Sequence, residues 1–442
     1  MNLSLHQTRR ERLLTSIPDN SVVLVPAAVE LTRSRDTEYP FRQDSDFFYL
    51  TGFNEPDALL ILSKDNTGAT SSLLLCRPKD PLAEIWQGRR LGPEQAKTVL
   101  GVEALPITEL DNELLKALNQ RTTLYYAQGT YAEFDAKVAA TLATLRLYPK
   151  RGYVAPTVQQ DLRPVTAEMR LFKDEHEIKL MRKAGSISAK AHKRAMQEAK
   201  AGVWEYQLEA AILHEFAMHG ARFPGYNCIV GAGENGCILH YTDNSSQLQD
   251  GDLVLIDAGA EYQGYTADIT RTFPVSGKFS AEQAAVYQVV LNAQYAASAK
   301  VKPGNTFKDA LDAACLELTK GLLELGILQG ELEQLLKDNA CKAYFIHGLG
   351  HWLGLDVHDV GAYKLAGEER PFAPGMVLTI EPGLYIPTGS PCDPKWWGLA
   401  VRIEDDVLVT AQGHDNLTES VPKEIAEIEA LMAQSHSENR MD

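Results

Sequence analysis

The chain has 442 residues, 45% hydrophobic and 23% charged, with a formal net charge of −16. This composition is that of a globular protein long enough for two domains, and its acidity disfavours nucleic acid and anionic membrane as partners. No apolar run reaches the roughly 18–20 residues that cross a bilayer, and Met1 to Asn20 lacks the apolar stretch of a signal peptide, so the expected location is the cytoplasm.

Residues 1–165 read as a small α/β domain. Val22–Val25, Phe47–Leu50, Ala58–Leu62 and Leu73–Cys76 are short strand-like runs, separated by turn signals such as Thr51-Gly52. Glu94–Leu100, Asp111–Leu118 and Tyr131–Leu147 carry helical patterns, and Ala155–Pro164 reads as a linker. Residues 170–442 form the second expected domain. It opens with an amphipathic helix over about 173–200, on which Ile178, Met181, Ala184, Ile187, Ala191 and Ala195 recur at helical spacing. A helix over 204–219 and a glycine-rich β block over 228–274 follow. The pattern then repeats. Ser280 and Gln283 form a capping-box signature for a helix to about Lys300, a further helix spans 307–325, and a second β block spans 345–410. Lys200-Ala-Gly202 and Lys302-Pro-Gly304 stand at matching places, which suggests two α-α-β halves related by a pseudo-twofold axis. The six cysteines are scattered without a C-x-x-C pair and read as free, mostly buried thiols.

Chemistry concentrates in that second domain. Apolar strands end on Asp257, on Glu381 and near Glu404, and Asp268 lies on the returning arm of a hairpin whose turn falls near Gln263-Gly264. A buried carboxylate is costly without a partner. Together with His351, these four acids make the donor set of a two-metal hydrolytic site, because converging carboxylates would otherwise drive one another neutral. Arg402 shares a strand face with Glu404 and would orient or partly neutralise the acids, whereas Asp405 and Asp406 read as surface charges at a strand end. His347, His351 and His358 fall within twelve residues. The glycines at 348 and 350 and the lack of a glutamate after His347 exclude a zinc helix of the H-E-x-x-H kind. His240 is a fourth candidate imidazole. Gly231-Ala-Gly-Glu-Asn-Gly236 has the spacing of a dinucleotide loop, but no helix start follows it. Taken singly, turn-capping aspartates, an Arg402–Glu404 ion pair and structural histidines remain the alternatives.

Five segments together carry a family resemblance: Asp257-Ala-Gly, Asp268-Ile-Thr-Arg-Thr-Phe-Pro, His347-Gly-Leu-Gly-His351-Trp-Leu-Gly-Leu-Asp-Val-His358-Asp, Glu381-Pro-Gly-Leu-Tyr and Arg402-Ile-Glu404-Asp-Asp. The chain resembles the proline-specific metallopeptidases of the pita-bread fold, most closely the bacterial Xaa-Pro aminopeptidases. Phe41-Arg-Gln-Asp-Ser-Asp-Phe-Phe-Tyr-Leu-Thr-Gly-Phe and Glu84-Ile-Trp86-Gln-Gly-Arg-Arg extend the likeness to the N-terminal half. The resemblance implies an α/β (α+β) chain with a creatinase-like N-terminal domain and a pita-bread catalytic domain. It implies Asp257, Asp268, His351, Glu381 and Glu404 as ligands of two Mn²⁺ ions, with Co²⁺, Zn²⁺ or Fe²⁺ as alternatives. A hydroxide bridging the ions would cleave peptides that begin Xaa-Pro. Glu381 would shuttle the proton, His240, His347 and His358 would line the substrate site, and Arg402 and Tyr385 would support the ligands. The N-terminal domain would build a homotetramer or dimer and narrow access, with Trp86, Arg89 and Arg90 as candidates unless Trp86 is a core residue. Xaa-Pro dipeptidase shares the ligand set and is the nearest alternative, while non-catalytic pita-bread binding proteins lack the full set.

Overall fold

The structure is a computed structural model and describes residues 3–438. The chain divides into two compact units, Met1–Met169 and Arg170–Asp442.

The first unit is built on a six-stranded mixed sheet. Its order is Glu103–Pro106, Thr70–Cys76, Leu59–Lys64, Ser21–Pro26, Thr123–Tyr126 and Val158–Asp161. The central strand pairs antiparallel with Leu59–Lys64 and parallel with Thr123–Tyr126. Val22 and Leu24 alternate onto one face, where they meet Leu114, Leu118, Val138, Leu142 and Leu145 from the helices Leu110–Leu118 and Ala132–Leu147. Each such side chain contributes about 1.5–3 kcal/mol by leaving water.

Two sequence expectations fail here. Phe47–Leu50 is not a strand but part of the helix Ser45–Thr51, because Asp44 accepts the Phe47 amide as an N-cap and Gly52, at φ 65°, closes the other end. Four apolar or aromatic residues in a row cannot distinguish a buried strand from a short helix. The expected linker over 155–164 contains the exposed edge strand Val158–Asp161, which pairs parallel to Thr123–Tyr126. An edge strand with polar side chains carries no hydrophobic signal.

The second unit repeats a helix pair followed by strands, as expected. Helices Glu175–Glu198 and Glu205–Met218 pack together, as do Ala281–Ser298 and Phe307–Glu324. Capping boxes start three of them, at Asp174, Ser280 and Thr306. The strand Leu253–Asp257 lies between Ile229–Ala232 and Thr270–Pro274, in register Ile229 to Asp257 to Thr270. Gln263 and Gly264, at φ 52° and 89°, make the two-residue hairpin turn between Tyr262 and Tyr265. In the second half, Val377–Ile380 pairs with Asp405–Val409, and Gly383–Ile386 pairs with Leu399–Arg402.

Asp405 and Asp406 are not surface charges. Their exposures are 0% and 1%. Asp405 binds Arg271 at 2.6 Å and Lys423 at 2.5 Å, and Gln294 donates to it at 2.9 Å. Burial alone would raise its pKa, but the two cations hold it well below the usual carboxylate range. Asp406 accepts the Asp268 amide on both oxygens, at 3.1 and 3.2 Å. Strand alternation alone gave no sign that both faces of this segment are covered.

Candidate metal centre

Each predicted site residue is delivered by a backbone device. The apolar strand Leu253–Asp257 ends at Asp257, and its partner strand begins two residues after Asp268. Glu381 follows the buried strand Val377–Ile380, and Glu404 sits between two strands of the same half. His351 is clamped onto the strand Val377–Ile380. Its carbonyl accepts the Thr379 amide at 2.9 Å, and its amide donates to the Thr379 hydroxyl at 3.0 Å. Gly350 allows this approach, since a Cβ there would lie 2.0 Å from the Thr379 carbonyl oxygen. The histidine segment is therefore a loop laid against a strand, as its glycines predict.

All nine predicted residues line one cavity of about 560 Å³: His240, Asp257, Asp268, His347, His351, His358, Glu381, Arg402 and Glu404. Asp268, Glu404 and Arg402 are buried at its floor, while His240 and His358 are exposed. One donor atom each from Asp268, His351 and Glu404 lies within 4.8 Å of the others. His351 Nε2 stands 3.3 Å from Asp268 and 3.5 Å from Glu381. Its Nδ1 is 2.9 Å from the Trp352 carbonyl oxygen, which only accepts, so Nδ1 carries the proton and Nε2 faces the acids.

The acids stand in a charge deficit. Burial first, then the neighbouring carboxylates, raise Glu404 well above its usual range, and Arg402 offsets only part of this. Burial also raises Asp268, with Asp257 adding to the shift. Glu381 is pushed up to about 7 by burial and the Asp268 charge, against the opposing pull of His351. His351 rises to about 9, because the hydrogen bond and charge of Asp268 outweigh burial. Cations are what this cluster lacks, and a set of carboxylates with one imidazole suits hard or borderline divalent ions.

A donor chain supports the floor. Arg402 gives one N–H to Asp257 at 2.6 Å and another to the Tyr385 hydroxyl at 2.9 Å. Tyr385 in turn donates to His347 Nε2 at 2.8 Å, which requires a neutral imidazole. Burial, then Arg402, lowers the His347 pKa to about 3. Three participants escaped the sequence reading. The Tyr226 hydroxyl lies 2.6 Å from Asp257 and 2.5 Å from Asp268. Thr270 donates to Glu404 at 2.6 Å while accepting from Arg402 at 3.0 Å, and Thr379 donates to Glu381 at 3.2 Å. Each threonine lies two residues from an acid along the chain, and that spacing was a usable signal. Tyr226 gave none.

Residues 179–411 match the profile of metallopeptidase family M24, and residues 6–125 match the aminopeptidase P N-terminal domain. The chain belongs to metallopeptidase family M24. Its fold is accordingly a mixed α/β one, an aminopeptidase P-type N-terminal domain followed by the pita-bread M24 domain. Among M24 relatives, the Xaa-Pro aminopeptidase of Escherichia coli K12 is 49% identical over 96% of this chain and 97% of its own. The mitochondrial intermediate cleaving peptidase 55 of Arabidopsis thaliana is 34% identical, over 96% and 82% respectively. Among solved structures, proline aminopeptidase P II from Yersinia pestis superimposes with a TM-score of 0.96 at 52% identity, covering 98% of this chain and 100% of that one. Zinc-substituted E. coli aminopeptidase P in complex with product gives 0.97 at 48% identity, over 98% and 99%.

Proposed function

We infer that this M24 chain is a metal-dependent aminopeptidase that releases the first residue of peptides carrying proline second. The observation that carries this reading is the convergence of four acids and His351 on one cavity, in a chain 49% identical across its length to an Xaa-Pro aminopeptidase. Asp257, Asp268, His351, Glu381 and Glu404 would hold two divalent cations, with Mn²⁺ the native pair on the strength of an oxygen-rich donor set. Bound cations supply Lewis acidity and water activated at neutral pH.

The chain's own residues do the rest. An Xaa-Pro bond is a tertiary amide without an N–H, so recognition must come from shape and from the carbonyl rather than from an amide donor. Glu381, at the cavity wall, takes a proton from the attacking water and returns it to the proline nitrogen as the C–N bond breaks. His240, His347 and His358 steady the carbonyl oxygen and the proline ring at the cavity wall. Arg402 and Tyr385 fix Asp257 and His347 in place.

The N-terminal domain, residues 1–165, would build a homotetramer, or a dimer, and restrict entry of long chains to a catalytic domain at 170–442. Helix Pro81–Gln87 supports this, since Trp86 is 88% exposed and is not a core residue. Among the described residues, no helix is long and apolar enough to cross a membrane, and the cytoplasm is the proposed location.

The substrate reading is tested with Ala-Pro-Ala, Ala-Pro and Ala-Ala-Ala, each with Mn²⁺. Alanine release from the first alone, or at least tenfold faster, is the expected result. Cleavage confined to Ala-Pro would instead mean a dipeptidase.

Cation binding also has a pH signature. It requires Glu381 ionised and His351 neutral. In stripped protein, the stability from the raised Glu381 pKa is fully present below about 4.3 and is lost as pH rises through about 7. That from His351 is present below about 6.5 and lost through about 9. The rise in thermal midpoint on adding Mn²⁺ is therefore larger at pH 8 than at pH 6. An equal or smaller rise at pH 8 would contradict this charge arrangement.

A further inference from the structure

The His358 imidazole is exposed at the cavity wall, and among the described residues its ring makes no hydrogen bond. It stands edge-on to the His351 ring, with centroids 4.2 Å apart and planes at 75°. Its placement therefore depends on the backbone of residues 352–359. The near end of that loop is tied to the strand Val377–Ile380, since the Leu353 amide donates to the Val377 carbonyl at 3.0 Å. The far end closes back on the start. The Asp359 amide donates to the Trp352 carbonyl at 2.8 Å, and the same oxygen accepts from His351 Nδ1 at 2.9 Å. The Asp359 carboxylate is locked in turn, by Lys173 at 2.9 Å and Arg170 at 2.5 Å. The Asp359 and Lys173 side chains are each 1% exposed, and that of Arg170 is 4% exposed. Gly354 lets the loop backbone approach this carboxylate, because a Cβ there would lie 2.1 Å from Asp359 Oδ2.

We propose that Asp359 is a positioning residue, whose carboxylate, gripped by Lys173 and Arg170, fixes the backbone at His358 so that this imidazole meets the substrate carbonyl beside His351. The inference rests on the peptidase reading and extends it to a residue that does not itself line the cavity.

Stability alone is a poor reason for this arrangement. Taking a carboxylate and two cations out of water is costly, and a well-packed apolar group would fill the same space as well or better. Burial by itself would raise the Asp359 carboxyl, yet Lys173 and Arg170 hold it below its usual range, so it stays ionised. What the charges supply, and apolar packing does not, is direction. Arg170 meets Oδ1 and Lys173 meets Oδ2, which leaves the carboxylate one orientation. His358 inherits that constraint through a single peptide bond. Lys173 is itself fixed, its amide donating to the Gly375 carbonyl at 2.8 Å, just ahead of the strand whose Thr379 clamps His351. Asp356, 37% exposed, also accepts from Arg170, at 2.7 Å, so the cations are balanced without drawing on the acids of the cavity.

The test is a double-mutant cycle on the full-length, Mn²⁺-loaded protein with Ala-Pro-Ala. Asp359→Asn is expected to lower kcat by about tenfold to a hundredfold with KM changed by less than about twofold, as for a misaligned group rather than lost binding. His358→Ala is expected to lose at least as much, and adding Asp359→Asn to it is expected to cost nothing further. Lys173→Met leaves Asp359 its Arg170 partner, so the cycle stands even where Asp359→Asn does not fold. Its loss is expected to be smaller and to vanish likewise in the His358→Ala background. Bound Mn²⁺ per chain is expected to match wild type in every variant. Losses that add to that of His358→Ala, or a fall in bound Mn²⁺, would show a general structural role and overturn the proposal. A His358→Ala variant as fast as wild type would overturn it too. Wild type that leaves Ala-Pro-Ala intact would overturn the peptidase reading and this inference with it, whereas active wild type beside additive losses overturns this inference alone.

Discussion

Replacing Glu404 with glutamine is expected to lower Ala-Pro-Ala hydrolysis by about a thousand-fold or more while raising the thermal midpoint of metal-stripped protein. The two effects have one cause. Glu404 is 1% exposed, and its carboxyl is destabilised by burial and then by the charges of Asp268, Glu381 and Asp257. Without cations that repulsion is uncompensated, so a neutral isostere relieves it. The glutamine carbonyl can still accept the Thr270 hydroxyl, which donates to Glu404 at 2.6 Å in the parent chain. What is lost is the negative charge that would hold a divalent cation. Kinetics on Ala-Pro-Ala and melting of chelator-treated protein check both halves. A variant that loses activity and also melts lower when stripped would point to a packing role for Glu404 rather than a charge held for metal.

Asp405→Asn should destabilise the second unit by about 3–5 kcal/mol, the range for breaking a buried ion pair from one side. Arg271 and Asp405 are both 0% exposed, so the guanidinium loses its counter-charge with no water to replace it. The damage reaches the site, because Arg271 also donates to the backbone carbonyls of Glu404 at 2.5 Å and Thr270 at 2.9 Å. The Asp405 pKa is depressed in the folded chain, so its contribution is present above the unfolded value of about 3.9 and is lost as pH falls through the folded one. The gap between wild type and variant in urea unfolding should therefore be full at pH 7 and should shrink in strong acid. A loss below about 1 kcal/mol at pH 7 would rank the pair with surface salt bridges.

The sequence signalled the site better than its surroundings. Asp257, Glu381 and Glu404 were legible because each interrupts an apolar strand, where a carboxylate has no packing reason to be. His347, His351 and His358 were legible because they fall within twelve residues and glycines at 348 and 350 argue against a helix, and Gly350 allows the close approach to the strand Val377–Ile380. The paired helices declared themselves through capping boxes and long periodic faces, which carry several independent signals per element. Phe47–Leu50 did not, since the Asp44 cap and the Gly52 stop, not the apolar run, decide its conformation. Asp405 and Asp406 misled for a different reason. Alternation along one strand reports only the faces of its own sheet, whereas Arg271, Lys423 and Gln294 arrive from sequence positions far away. Tyr226 illustrates the same limit at the centre of the site, because a hydroxyl that joins two aspartates 31 and 42 residues later leaves no local pattern.

The most direct measurement is alanine release from Ala-Pro-Ala by metal-stripped protein, titrated with Mn²⁺ in equivalents per chain. A two-cation centre predicts no release without metal and a rate that levels off at two equivalents. Release that persists in chelator, or that is unmoved by Mn²⁺, Co²⁺ and Zn²⁺ alike, would contradict a metal-dependent peptidase in this cavity.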